Sequence, residues 1–215
     1  MTGLSDGVEC LRVLNKQALF SLCYFAPISW YIQFLKAEKA VIEAHENFIK
    51  QSFRNRAHIA GPQGLQKLII PVKWKNHTPY QDVVLADDFK WRREHLRSLQ
   101  TAYKNAAFFE HYEHNFIALF ESPINNLFEF NLQAHELIMK LLKLEQSIIL
   151  TSSYESDPAA QDFRSMVHPK TSSNFNFVSY PQVFQEKNGQ IPDLSILDLT
   201  FNLGLEAALY LKGNL

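Results

Sequence analysis

Cysteine, glycine and charge are all scarce in this chain. Only Cys10 and Cys23 occur among its 215 residues. They cannot build a disulfide framework, and they lack the CxxC spacing of a metal knuckle, a usage that suits a reducing, cytoplasmic compartment. Its seven glycines form neither GxGxxG nor GxxxxGK[ST], so the two commonest nucleotide cradles are absent. Charged residues make up 20% of the chain, and 21 Lys and Arg against 22 Asp and Glu leave a net charge of −1. No net field therefore draws the protein to nucleic acid or to an anionic membrane. Ala18 to Leu35 is uncharged over a length near that of a span. A transmembrane helix there would carry Ser21, Tyr24, Pro27, Ser29, Tyr31 and Gln33 into lipid without partners, whereas a strand, a turn at Pro27 and a helix satisfy them inside a fold. We expect no membrane span. A signal peptide also fits poorly, since Asp6 and Glu9 sit where its basic region would be and no small-residue cleavage site follows.

What the chain has instead is apolar mass: 47% hydrophobic residues, with seventeen Phe, eight Tyr and three Trp, enough for the core of one domain. Ala18–Phe25 reads as an apolar strand, Ser29–Lys39 as a helix, and Val41–Glu46 as a second strand. Together they form a βαβ unit with parallel strands. Gln51–Ile59 and Leu65–Val72 flank Gly61-Pro62-Gln63-Gly64 and read as a β-hairpin. After the polar loop Lys73–Pro79 comes a short strand, Asp82–Ala86, and Asp87-Asp88 offers a cap for a helix over Phe89–Asn105. Helices are expected over Phe108–Glu121 and Leu127–Leu144, and a strand over Ser147–Ser152. Residues 154–176 read as a flexible internal segment. A strand at Tyr180–Gln185 and a closing helix over Leu194–Leu211, with Gly204 as a kink, complete the pattern. The fold class expected is α/β: a βαβ opening with a mostly parallel or mixed sheet, a β-hairpin, a helical middle and a C-terminal helix.

The chemistry concentrates between His45 and His58. A strand over Gln51–Ile59 would set Arg54, Arg56 and His58 on one face, where they form either an anion cradle or the charged face of an edge strand. His45-Glu46 falls at the carboxyl end of the second strand, where open α/β sheets bind ligands, and His45 is a candidate general base. Asp198, on an otherwise apolar helix, needs a partner, and Arg54 or Arg56 is the partner expected. Arg164, His168 and Lys170 are candidates to close over a bound anion. His111-x-x-His114 has helical spacing for a metal but lacks a third ligand, so no metal site and no cofactor are expected. His95 reads as a core histidine, and Cys10 and Cys23 as core thiols.

Three blocks carry a resemblance. Phe48 to Arg56 (FIKQSFRNR) with His58 to Pro62, Trp91 to His95 with Tyr103, and Tyr180 to Phe184 with Leu194 to Asn202 are similar to the WbqC-like protein family. The likeness spans about Ala18 to Leu211, and KQSFRNR and LSILDL are its most specific parts. The resemblance implies one WbqC-like domain over residues 1–215. It also implies a cytoplasmic protein of bacterial surface-polysaccharide (O-antigen type) biosynthesis, either a transferase passing a glycyl or other acyl group to an activated sugar or a non-catalytic protein that binds a sugar nucleotide. Transferred to this sequence, it marks His45, His58 and Asp198 as catalytic candidates. Lys50, Gln51, Arg54, Asn55, Arg56, Tyr180 and Gln182 are marked as contacts for a small molecule bearing phosphate or carboxylate.

Overall fold

Apolar alternation produces a parallel sheet in the computed structural model, which describes residues 17–86, 90–170, 175 and 177–214. Strand β1 (Gln17–Ser21), helix α1 (Ile28–Lys36) and strand β2 (Lys39–Glu43) form the expected βαβ unit, with β1 and β2 parallel from Gln17 opposite Lys39 to Ser21 opposite Glu43. Phe20 points to α1, where it meets Trp30 and Phe34 edge-on. By the two-residue period of a strand, Leu19, Ser21, Val41 and Glu43 face the other way.

Beyond the βαβ unit, β3 (Arg56–Gly61) and β4 (Gly64–Ile69) form the hairpin. Gly64 closes its turn at φ 99°, a conformation open to glycine at little cost. β5 (Val72–Lys73) pairs with β6 (Val84–Leu85) across a 3₁₀ turn at Tyr80–Asp82. The helical middle consists of α2 (Lys90–Tyr103), α3 (Phe109–Glu121) and α4 (Leu127–Leu141). Asp6, Glu9, Cys10 and Asp87-Asp88 lie outside the described residues.

Two more strands complete the sheet. β7 (Ile148–Leu150) adds beside β2, and β8 (Gln161–Asp162) beside β1, both parallel, to give the order β7-β2-β1-β8. The class is thus mixed α/β with a parallel four-stranded sheet, as expected, and residues 161–162 supply a strand from the segment read as irregular.

Two elements differ from the sequence reading. Tyr180–Gln185 forms no strand. Its polar groups are met by side chains, with Gln182 bonded to the backbone of Ile191 in both directions, and the segment ends in α5 (Gln185–Asn188). The closing helix is two helices, α6 (Ile196–Leu203) and α7 (Glu206–Gly213), separated at Gly204. There φ is 56°, and a Cβ would sit 2.6 Å from the Phe108 ring. Ser195 caps α6 by accepting from the Leu197 N–H, while Asp193 caps α1 through the Ser29 N–H and hydroxyl, each at 2.8 Å. Aromatic rings fill the interior: Phe201 touches Tyr103, Phe109 and Phe116, and Trp91 touches His95, Phe120 and Phe130. Among the described residues no helix is long and apolar enough to cross a membrane.

Candidate functional site

Each strand of the parallel sheet delivers a polar group to the same edge. Ser21 and Glu43 are the last residues of β1 and β2, paired in register. Continuing the register of β2 with β7 sets Thr151 beside Glu43, and continuing that of β1 with β8 sets Arg164 beside Ser21. The row Arg164, Ser21, Glu43, Thr151 therefore crosses the carboxyl edge on the face turned away from α1. It is the edge at which open α/β sheets bind ligands.

Hydrogen bonds fix the row. The fully buried Glu43 carboxylate accepts from the Thr151 hydroxyl at 2.8 Å, the His45 N–H at 2.8 Å and the Arg164 guanidinium at 3.3 Å. Arg164 also grips Asp162, with its closest contact at 2.7 Å, and lies over the Tyr154 ring. Arg164 thereby lowers the Asp162 pKa, chiefly through this hydrogen bond. Its carbonyl accepts from the Ser21 hydroxyl.

Arg54 bonds to Glu46 through two nitrogens, at 2.9 and 2.5 Å, and donates to Ser21 at 2.8 Å. Burial disfavours the Arg54 charge, but Glu46 more than offsets it and holds the guanidinium above its ordinary pKa. Behind this pair the Asn131 amide donates to the Arg54 carbonyl and to the Tyr80 hydroxyl, each at 2.6 Å. Cys23 is buried beside it as a core thiol, its pKa pushed up to about 12 by that burial.

His45 lies between the two anchored carboxylates and is half-buried. Its Nε2 is 3.1 Å from the Thr151 carbonyl, which can only accept, so Nε2 carries the proton and Nδ1 the lone pair. Gln81 Nε2 lies 3.5 Å from Nδ1. On the same face of the sheet, residues 151–160 roof a cavity of about 290 Å³ with Val41, Glu43, Thr151, Ser152, Ser153 and Glu155 among its walls. Glu43 and Thr151 belong both to the cavity and to the network that holds His45.

The predicted partnership of Asp198 with Arg54 or Arg56 is not found. Arg54 is committed to Glu46, and Asp198 accepts instead from the hydroxyls of Tyr103 at 2.9 Å and Tyr180 at 2.7 Å. Burial pushes the Asp198 pKa up to about 6, against the two tyrosine bonds that favour the carboxylate. Gln182 donates to the Tyr180 hydroxyl. Tyr180, Gln182 and Asp198 are thus brought together, in a network that shares no hydrogen bond with the sheet edge among the described residues, and Asp198 is fully buried.

Arg54 also stands outside the strand in which the sequence reading set it, because β3 begins only at Arg56. Ser52 donates to the Ile49 carbonyl and receives the Arg54 N–H, making residues 49–54 a turn with Lys50 and Gln51 exposed. Asn55 locks the base of the hairpin, its amide bonded to the Ile70 carbonyl at 2.9 Å. Arg56 and His58 do share one face of β3, with Lys67 opposite His58. His58 is buried against Phe53, and burial, Lys67 and Arg56 together lower its pKa. His45, just past the end of β2, and His58, inside β3, therefore belong to different parts of the fold. His95 is a core histidine as expected: Tyr24 meets its Nδ1 at 2.9 Å, and burial lowers its pKa to about 4. His111 and His114 are exposed, and among the described residues no three His, Cys, Asp or Glu side chains are grouped to hold a metal ion.

The sequence reading missed Ser21, Glu43, Thr151 and Asp162. Their signal is a polar residue that closes an apolar run, and it means little until the strands are known to be adjacent and parallel.

Three comparisons bear on this chain. The profile of the WbqC-like protein family matches residues 23–168. The uncharacterized protein Rv1507c of Mycobacterium tuberculosis is 26% identical over 204 residues, covering 81% of this chain and 88% of that protein. No solved structure matches.

Proposed function

The chain belongs to the WbqC-like protein family, and from that membership and the polar edge of its parallel sheet we propose that it is a group transferase of bacterial surface-polysaccharide biosynthesis. In this reading the substrate lies at the carboxyl ends of β1, β2 and β7, and the protein works in the cytoplasm. The observation that carries the reading is the setting of His45. The residues on either side of it are pinned, Glu43 by Thr151 and Arg164 and Glu46 by Arg54 and Ser21. Its tautomer is fixed by the Thr151 carbonyl. A histidine with a clamped backbone and a fixed tautomer is prepared to act as a general base without reorganising.

His45 Nδ1 takes the proton of an accepting hydroxyl or amine, whose oxygen or nitrogen attacks the activated acyl carbon of the donor; the bond from that carbon to the donor's activating thiol or phosphate then breaks, and the leaving group departs with the proton that His45 returns. Ser152, Ser153, Thr151 and Glu155 in the cavity wall suit the hydroxyls of a sugar. Arg54 is a positioning residue here, because Glu46 and Ser21 hold its Nε and Nη2. Lys50 and Arg56, which have no ion-pair partner among the described residues, retain the assignment to a phosphate or carboxylate. The buried Asp198, Tyr180 and Gln182 hold the closing helix in place.

The test begins with a thermal-shift screen of the full chain against sugar nucleotides, acyl thioesters and nucleoside phosphates. Mass spectrometry of mixtures containing each ligand that shifts the midpoint follows. We expect product with the wild type. His45→Ala should bind with nearly the same affinity and turn over about 100- to 10,000-fold more slowly. Binding by the wild type with no product from any pairing of ligands would replace this reading with that of a sugar-nucleotide-binding protein of the same pathway.

A further inference from the structure

The transfer reading makes no use of the loop between β5 and β6. Lys73-Trp74-Lys75 opens it, beside a surface groove of about 550 Å³ lined by Val72, Lys73, Trp74, Lys75, Thr78 and Asp82. Two of the three tryptophans belong to the core: Trp30 is 1% exposed and Trp91 4%. Trp74 is half-buried in the groove wall, with its ring tilted against Phe48 at a centroid distance of 5.6 Å. Lys73 and Lys75 are exposed, and neither side chain has an ion pair or hydrogen bond among the described residues. Trp74 packs on the edge of the core through Phe48 and turns the rest of its ring to the groove.

The loop is fixed in shape. The Lys75 N–H donates to the Thr78 hydroxyl, which donates back to the Lys75 carbonyl, and His77 turns the chain at φ 64°. It is also joined to the sheet edge, since the Phe48 N–H donates to the Thr78 carbonyl and the Tyr80 N–H to the Glu46 carbonyl. The groove thus adjoins the segment that carries His45 and Glu46, and Gln81, next to Asp82, touches His45.

We propose that this groove binds the nucleoside diphosphate portion of a ligand. The base stacks on the Trp74 indole, which accepts any base because every base has a π face. The two ammonium groups, on the residues that flank Trp74 in the groove wall, meet the diphosphate as point charges. The Asp82 carboxylate accepts from the ribose hydroxyls. A bare anion would leave the groove-facing part of the Trp74 ring uncovered. A nucleic-acid strand would need a longer basic track than two lysines on a chain of net charge −1. That the diphosphate end points toward His45 rests on the transfer reading above; the binding does not.

Because Trp30 and Trp91 are buried, Trp74 is the tryptophan a ligand can quench, and emission reports the site directly. Uridine, adenosine and guanosine diphosphates, inorganic pyrophosphate, free uridine and an oligouridylate would be titrated into the full chain with inner-filter correction. We expect saturable quenching by the diphosphates that weakens with salt and is absent in Trp74→Phe. In Lys73→Gln with Lys75→Gln the affinity should fall at least about tenfold. Absence of saturable quenching would overturn the proposal, as would unchanged affinity in the double lysine variant. Pyrophosphate binding as tightly as the diphosphates would reduce the groove to an anion patch, and an oligouridylate binding far more tightly than the mononucleotides would make it a nucleic-acid surface. Either result would defeat the proposal as well. Quenching by a diphosphate without turnover from any ligand pair would uphold the groove and fail the transfer reading.

Discussion

Glu46 and Asp198 are both buried carboxylates, and they are stabilised in opposite ways. Glu46 lies at the sheet edge, paired through two bonds with a guanidinium that a serine also holds. Asp198 lies on the closing helix α6, between Tyr103 and Tyr180, with neutral donors only, and its pKa rises to about 6. A cation keeps charge in the interior by Coulomb attraction, whereas hydroxyls lower the cost of a buried charge without cancelling it. The edge is consequently a set of fixed charges that hold a histidine through Glu43 and Thr151, two residues that also line the cavity. The Asp198 network is a fastening between α6, α2 and the 180–192 segment.

The largest effect that could break this contrast comes from Arg54→Ala, which leaves Glu46 buried and unpaired. We expect a loss of about 3–5 kcal/mol in urea unfolding. Arg54→Met combined with Glu46→Leu should recover most of it, because the second substitution removes the stranded charge. A loss below about 1 kcal/mol for the single variant would mean that solvent reaches Glu46.

Next in size is the pH dependence of Asp198. Its pKa is raised from the ordinary 3.8 to about 6 in the folded protein, so the folded state binds the proton more tightly. The associated stability is present below about pH 4 and is lost as pH rises through 6, by about 3 kcal/mol. Wild type minus Asp198→Asn, measured as unfolding free energy at pH 4 and pH 7, should shrink by that amount, and a flat difference would assign the titration elsewhere. At the sheet edge the sign is reversed. Arg164 depresses the pKa of Asp162, so its contribution is present at neutral pH and is lost as pH falls through the depressed folded value. Arg164→Gln should remove that acid-side loss.

Smaller again is Tyr180→Phe, which takes one of two hydroxyl donors from Asp198. A hydrogen bond to a charged group is worth about 1.5–3 kcal/mol, and the loss should be greater at pH 7 than at pH 4, where the carboxyl is protonated. Equal losses at both values would mean that Asp198 is neutral throughout.

How much was legible in advance differs between the two regions. The βαβ unit could be read because an apolar run, a proline and a helical repeat follow one another within Ala18–Glu46. The hairpin could be read because Gly61-Pro62-Gln63-Gly64 is turn chemistry. Arg54 was misplaced because alternation continued backward from β3 into a turn that Ser52 builds with its own side chain. β8 escaped notice because two polar residues become a strand only when β1 offers them an edge. Asp198 needs a partner, as expected, but the need does not name the partner, and two tyrosine hydroxyls stand where arginine was predicted.

The sequence by itself determined the α/β class, the strand and helix order of the first half and the position of His45 at the end of β2. Hydrophobic period and turn residues act over a few neighbours and can be read locally. Only the tertiary structure decided that Ser21, Glu43, Thr151 and Arg164 form one row, that Arg54 answers Glu46, and that Asp198 answers two tyrosines. Those choices depend on strand order and on which buried groups meet across 8 to 143 positions of chain. Electrostatic and hydrogen-bond partners are selected by proximity after folding, and sequence separation carries no information about it.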